Sequence, residues 1–200
     1  MFRKPLSFAA GLVAACALTT ATSAQIVTFG GNGECKTSTV FFYNRAENKL
    51  AGSFEFSYGS PVWQGAHEKA TGSMRLGKDG WARLDTSVPL TLGGVKIPAG
   101  NWYLGLNKTK DQFSLMVMEA KALRGKMVPP WMTSSVKAKI NAPLEHEKVE
   151  ESQENLLITA AAGKKDPTKC TFTLRWGKHK LTAALVAHLG EKKSRKSGQK

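Results

Sequence analysis

The chain has 200 residues, of which 42% are hydrophobic, and a formal net charge of +14. This length and composition predict a globular domain with its own core, and they exclude a miniprotein that depends on cross-links for stability. The excess of basic residues favours anionic neighbours such as polysaccharides or lipid headgroups, although a net charge alone defines no site.

Residues 1–24 have the features of an export signal. Arg3 and Lys4 precede an uncharged apolar run over residues 6–18, and small residues at 22–24 precede Gln25. We therefore expect the protein to be exported, to the periplasm or outside the cell. Cys16 supports an alternative, because it follows a lipobox-like sequence and would anchor a lipoprotein. The apolar run is too short to span a bilayer, and no transmembrane segment is expected.

The remaining chain is predicted to form one domain over residues 25–190, followed by a basic disordered tail at residues 191–200. The tail contains five basic residues and one acidic residue.

Alternation of apolar and polar residues predicts strands in the first half of the chain at residues 37–44, 53–58, 81–86, 88–92, 95–97 and 102–106. Residues 62–72 break this pattern and predict a loop or short helix. Residues 84–107 predict a β-meander, with turns at Gly93-Gly94 and at residues 98–100.

The second half is predicted to contain a central strand at residues 112–119, a helical turn at 119–124 and weaker strands at 136–140, 144–149 and 155–161. Two firmer strands, 170–176 and 180–188, are separated by a predicted Gly177-Lys178 turn. About ten short strands with one or two helical turns predict an all-β fold, an antiparallel β-sandwich with barrel-like and jelly-roll-like variants.

Three short motifs resemble a bacterial exported family catalogued as domain of unknown function twenty-nine eleven. They read FSYGSP at residues 56–61, GVKIPAGNWYL at 94–104 and LRWG at 174–177. The resemblance implies a β-sandwich-like exported domain and brings no reaction with it. A polar W-R-x-G-x-N-E pattern of the family is degraded here. The preferred, ungapped comparison retains only Arg75 and Gly77, and a gapped alternative retains Trp63, Gly65 and Glu68 but loses the arginine.

Cys35 and Cys170 are predicted to form a disulfide, because export places both in an oxidising compartment. With no CxxC pair and no cluster of ligands, no metal site and no cofactor are expected.

The polar residues offer few catalytic candidates. The weak ones are His67, Arg75, Asp79 and Asp85, with Asp85 as a buried acid paired to arginine. In an extended segment His146 projects away from Glu145 and Glu147, and His179 is expected to be exposed in a turn.

Residues 125–135 form an unusually apolar loop. Met127, Trp131 and Met132 provide a contact patch for a partner or glycan ring if the loop is exposed, and part of the core if it folds back.

The sequence therefore favours a non-catalytic binding or scaffolding module of the cell envelope, with an anionic glycan or an envelope protein as its partner. The alternative is a hydrolase-type enzyme with a cleft near Arg75, Asp79, Asp85 and His67. Nucleic acid is not expected as a partner, because the aromatic residues have core spacing and no recognition motif is present.

Overall fold

The computed structural model describes residues 35–110 and 112–190. Its first six strands are β1 (Cys35–Asn44), β2 (Lys49–Gly59), β3 (Gly72–Arg75), β4 (Ala82–Thr86), β5 (Leu90–Leu92) and β6 (Val95–Ile97). The remaining strands are β7 (Gly100–Thr109), β8 (Gln112–Glu119), β9 (Ile140–Ala162) and β10 (Lys169–Ala187). Helices α1 (Gly65–Lys69) and α2 (Ala120–Gly125) and a 3-10 helix (Pro130–Ser135) complete the elements. No helix in these ranges has the length and apolar character to cross a membrane.

The strands form one antiparallel sheet folded into two layers. Its hydrogen-bonded order is β1-β2-β4-β7-β8-β9-β10-β5-β6, with β3 paired to β7. The beginning of β9 pairs with β8, and the rest of β9 pairs with β10, so β9 belongs to both layers. Among the described residues β1 and β6 do not pair, and the sheet is not closed. The predicted all-β antiparallel sandwich is confirmed.

The core fills the space between the layers. Phe54 and Phe56 of β2 are fully buried, and the Phe56 ring lies 5.3 Å from the ring of Phe172 in β10. The Tyr58 hydroxyl donates to the carbonyl of Ile158 at 3.2 Å and accepts from its amide at 2.7 Å. Burial raises the pKa of Tyr58. These bonds tie the first layer to the second.

The meander predicted over residues 84–107 is wrong as a unit, although its first turn is confirmed. Leu92 pairs with Val95 across the Gly93-Gly94 turn, where both glycines have positive φ. The β5–β6 hairpin, however, pairs with β10 in the second layer, whereas β7 pairs with β4, β8 and β3 in the first. Residues 98–100 thus cross between layers, because the apolar faces of both segments must reach the shared core.

The predicted Gly177-Lys178 turn is also wrong, because β10 continues through it as a bulge. The register of β10 against β9 shifts on both sides of Gly177, which has φ +61°. Before the bulge the core side of β10 consists of even-numbered residues, and after it of odd-numbered ones, from His179 to Ala187. One extra residue therefore reverses which side chains face inward.

A second, smaller apolar cluster lies on the outer face of the first layer. Tyr103, Met116 and Met118 of β7 and β8 are covered there by Leu123 of α2. The absence of a side chain at Gly105 lets the 3-10 helix lie close, since a Cβ would be 3.1 Å from the Thr133 methyl. The helical segment therefore covers β7 and β8 and leaves the outer face of β2 and β4 open.

Replacing Gly177 by alanine is expected to cost about 2–4 kcal/mol, the sum of a left-handed backbone and overpacking. A Cβ at Gly177 would lie 2.5 Å from the Trp63 indole. Gly94→Ala is the matched control, because Gly94 has φ +81° and open space around it. It should cost about 1–2 kcal/mol in urea unfolding. Equal losses for the two variants would show that Trp63 does not pack on the bulge.

Candidate functional site

The register of the first layer places a row of side chains on its open outer face. Ser57 of β2 is opposite Arg83 of β4, and Arg83 is opposite Tyr103 of β7. Directly paired residues in an antiparallel sheet project on the same side, so these three are neighbours across the strands.

This row forms part of a surface groove of about 480 Å³. The Trp81 ring stacks on Tyr103 with centroids 5.2 Å apart and planes 9° apart. The Trp81 Nε1–H donates to the carbonyl of Val128 at 3.2 Å, which fixes the indole. Lys78 and Asp79 enter from the β3–β4 loop, where Asp79 has φ +52°. We call this feature the outer groove; its lining includes Ser57, Lys78, Asp79, Trp81, Arg83 and Tyr103.

Ser57 supplies an unsatisfied group to the outer groove. Its side chain is only 4% exposed, and its hydroxyl has no hydrogen-bond partner among the described residues. Buried hydroxyl groups in folded proteins nearly always have a partner. A polar ligand or water at the floor of the groove would provide one.

A second cross-strand row holds two carboxylates. Glu55 is opposite Asp85, and Asp85 is opposite Asn101. Glu55 accepts from the Thr39 hydroxyl at 3.0 Å, and Asp85 accepts from the Asn101 amide. Asp85 is half-exposed and forms no ion pair within the described part of the chain. The prediction of a buried, arginine-paired acid is wrong, because Asp85 faces away from the core.

Two histidines and a glutamate form a hydrogen-bonded chain at the β9–β10 ladder. His179 is buried, and its Nε2–H donates to the Glu68 carboxylate at 2.9 Å. Its Nδ1 lies within hydrogen-bond distance of Nε2 of His146, at 2.9 Å. The bond from His179 lowers the pKa of Glu68. The expected exposure of His179 is wrong, because the Gly177 bulge turns it inward.

His67 belongs to an aromatic cluster beside this chain. Its ring lies 4.4 Å from Trp176 and 5.2 Å from Trp63, measured between centroids. Burial lowers the pKa of His67. Lys108 and His179 line the same small cavity. Aromatic rings fill most of this cavity, so the cluster packs α1 against the sheet.

The four predicted catalytic candidates are dispersed. His67 lies in the aromatic cluster, Asp79 in the outer groove and Asp85 in the carboxylate row, whereas Arg75 is exposed on β3. No hydrogen bond or ion pair joins any two of them in the described ranges. Nor does any group of three or more His, Cys, Asp or Glu residues there have a geometry that could hold a metal ion.

The predicted disulfide is not formed in the structure. Cys35 is an exposed free thiol that lines the outer groove, and Cys170 is a buried free thiol. Strand alternation gives the reason: Cys35 projects outward from β1 with Thr37 and Thr39, while Cys170 projects into the core with Phe172. Burial raises the pKa of Cys170.

The apolar loop is divided between core and surface. Val128 packs in the outer-face cluster and Pro130 is buried, whereas Met127, Trp131 and Met132 are 87%, 59% and 46% exposed. Beside them is a pocket of about 420 Å³, which we call the apolar pocket. Its walls are Met118, Leu123, Val128, Met132 and Val136, and its lining also includes Lys126, Lys137 and Lys139.

These features define an all-β sandwich protein whose outer face carries an aromatic and cationic groove. Comparison of the chain with protein-family models, curated proteins and solved structures gives no match. The function must therefore be argued from the groove and pocket themselves.

Thiol titration should distinguish the two cysteines of a chain that begins at Gln25. Cys35 is exposed and should react rapidly, whereas Cys170 is 4% exposed and should react only slowly until the protein is unfolded. A thiol-specific chromophore followed with and without denaturant measures both rates. Finding no thiol in unfolded, unreduced protein would restore the disulfide.

Acidification should weaken the aromatic cluster. The lowered pKa of His67 means that the unfolded chain binds this proton more readily. Its stabilising contribution is present above the unfolded pKa of about 6.5 and is lost as pH falls through the lower folded value. Between about pH 7.5 and 5.5, the melting temperature of His67→Gln should fall less than that of the wild type, by about 1–3 °C.

His188→Gln serves as the control for this comparison, because His188 is exposed and lies 2.7 Å from the Thr91 hydroxyl. An identical pH dependence of wild type and His67→Gln would assign the acid sensitivity to other groups.

Proposed function

We propose that this protein is an exported, non-catalytic binding module that holds an anionic glycan in the outer groove. The observation that carries the proposal is the Trp81–Tyr103 stack, which the groove shares with the cations Lys78 and Arg83.

The aromatic stack provides an apolar platform. The indole of Trp81 is half-buried, and its Nε1–H bond to Val128 holds it in place without blocking the groove. Tryptophan presents a large rigid surface at low entropic cost, and the apolar face of a sugar ring complements such a surface.

The polar groups complement the other parts of an acidic sugar. Arg83 is exposed, and its planar guanidinium suits a carboxylate through two parallel hydrogen bonds. Asp79 accepts hydrogen bonds from ligand hydroxyls, and the Ser57 hydroxyl still lacks a partner. A polyuronate supplies rings, hydroxyls and carboxylates along one chain.

The hydrolase alternative receives less support. Of its four residues, only Asp79 lines the outer groove. His179, which bonds to the Glu68 carboxylate, is buried in a hydrogen-bonded chain. An acid–base mechanism requires such groups within reach of one substrate.

Arg83→Ala should weaken binding of polygalacturonate about tenfold, since hydrogen bonds to charged groups contribute about 1.5–3 kcal/mol. Trp81→Ala should reduce the affinity for polygalacturonate by a similar factor, and this loss should depend less on salt than the loss for Arg83→Ala. Affinity is measured by calorimetry at low and moderate salt. Neutral dextran should bind weakly to every variant.

Lys96→Ala is the matched control, because it removes an exposed cation on β6 outside the groove. If Lys96→Ala and Arg83→Ala lose equal affinity, binding reports net charge alone, and the outer groove is not the glycan site.

A further inference from the structure

The apolar pocket has the size and lining of a ligand site. Its volume of about 420 Å³ falls in the range of small-molecule pockets, about 300–1,000 Å³. Met118 and Leu123 form a buried floor, and Met132 lies at its exposed side. Methionine side chains are flexible and polarisable, and they adapt to chains of varied shape.

The mouth of the pocket is positively charged. Residues 120–139 contain five basic residues and no acidic one. Lys126, Lys137 and Lys139 all line the pocket, and its one acidic residue, Glu119, is bound to Lys139 at 3.1 Å. Lys126 and Lys137 form no ion pair in the described part of the chain, and their charge is available to an anion.

The C-terminal end of α2, beside the pocket, has a residue type that its backbone conformation disfavours. The Val128 N–H donates to the carbonyl of Leu123 at 3.0 Å, and the Met127 N–H donates to the carbonyl of Arg124 at 2.9 Å. These two bonds form a Schellman motif. Its left-handed position is normally glycine, yet Met127 occupies it with φ +53° and is 87% exposed. Met127 lies between Lys126 and Val128, which both line the apolar pocket, and its exposed side chain adds an apolar surface at that point of the chain.

We propose that the apolar pocket binds the acyl chain of an anionic amphiphile, with Lys126 and Lys137 holding its headgroup. This site is separate from the outer groove and does not depend on the proposed glycan. A free fatty acid and an anionic phospholipid share this chemistry, and the experiment separates them.

Laurate, kept below its critical micelle concentration, is the probe for the free amphiphile, with binding measured by calorimetry. Vesicles of phosphatidylglycerol test the bilayer source by co-sedimentation. The double variant Lys126→Glu/Lys137→Glu should weaken binding of whichever source binds by about tenfold or more. Both lysines are exposed, so the fold should be retained.

Lys96→Glu/Lys164→Glu changes the net charge equally at exposed positions outside the pocket and should change affinity less than about twofold. Arg83→Ala should bind laurate as the wild type does, even if glycan binding is lost. Binding of laurate alone identifies a free amphiphile as the ligand, and binding of vesicles alone identifies a lipid.

The proposal is overturned if neither source binds or if the control pair loses as much affinity as the pocket pair. Equal binding of dodecyltrimethylammonium or of phosphatidylcholine vesicles would also overturn it, since the headgroup charge would then be irrelevant. A dimer that occludes the pocket would identify a second copy as the occupant and would refute the amphiphile.

Discussion

The bulge at Gly177 sets the arrangement of the whole second layer. β10 is one strand of 19 residues, and its core side changes from even to odd positions at this residue. Without the extra residue, Leu181, Ala183 and Leu185 would face solvent while Phe172 and Leu174 faced the core. Glycine is required there because the backbone has φ +61° and the Trp63 indole lies against it. The same bulge brings His179 into contact with Glu68 and His146.

The antiparallel register of the first layer determines the outer groove in a similar way. Ser57, Arg83 and Tyr103 are far apart in sequence and become one row because β2, β4 and β7 pair without a bulge. The α2 and 3-10 segment buries the Tyr103 end of that row, and the Ser57 end stays open. One face of this layer lies in the core, and the helical segment covers part of the other face. The groove lies where that covering segment ends.

Period-two alternation predicted most of the strands, the inward face of β2 and the apolar two-sided β8, because burial of alternate residues leaves a local pattern. It missed β3, and the strand predicted at residues 136–140 is wrong, because β9 begins only at Ile140 and runs unbroken through the strands predicted at 144–149 and 155–161. The assignment of each strand to a layer and to its partner strands left no local pattern in the sequence. The sequence near Gly93 and near residues 98–100 looks equally turn-like, yet only the first closes a hairpin, since the destination of each segment depends on distant strands. In β10 the large apolar residues change from even positions, ending at Trp176, to odd positions such as Leu181. A glycine between two such runs, however, predicts a turn as readily as a bulge. The outer groove was missed for the same reason: only Asp79 among its residues was named as a catalytic or binding candidate, and the register that assembles the groove is not local.

Hydrogen-bond satisfaction separates the structural cluster from the candidate site. His179 uses both ring nitrogens within the protein, one to Glu68 and one to His146, and the surrounding rings leave little space. Such a cluster is complete without a ligand, and it holds α1 against the sheet. The outer groove has the opposite character, because the Ser57 hydroxyl is buried without a partner while Trp81 and Arg83 present their surfaces outward. Arg175 Nε, in the second layer, is also buried without a partner among the described residues, so the outer groove is distinguished by the aromatic and cationic side chains that surround Ser57. We therefore place the proposed function on the outside of the first layer.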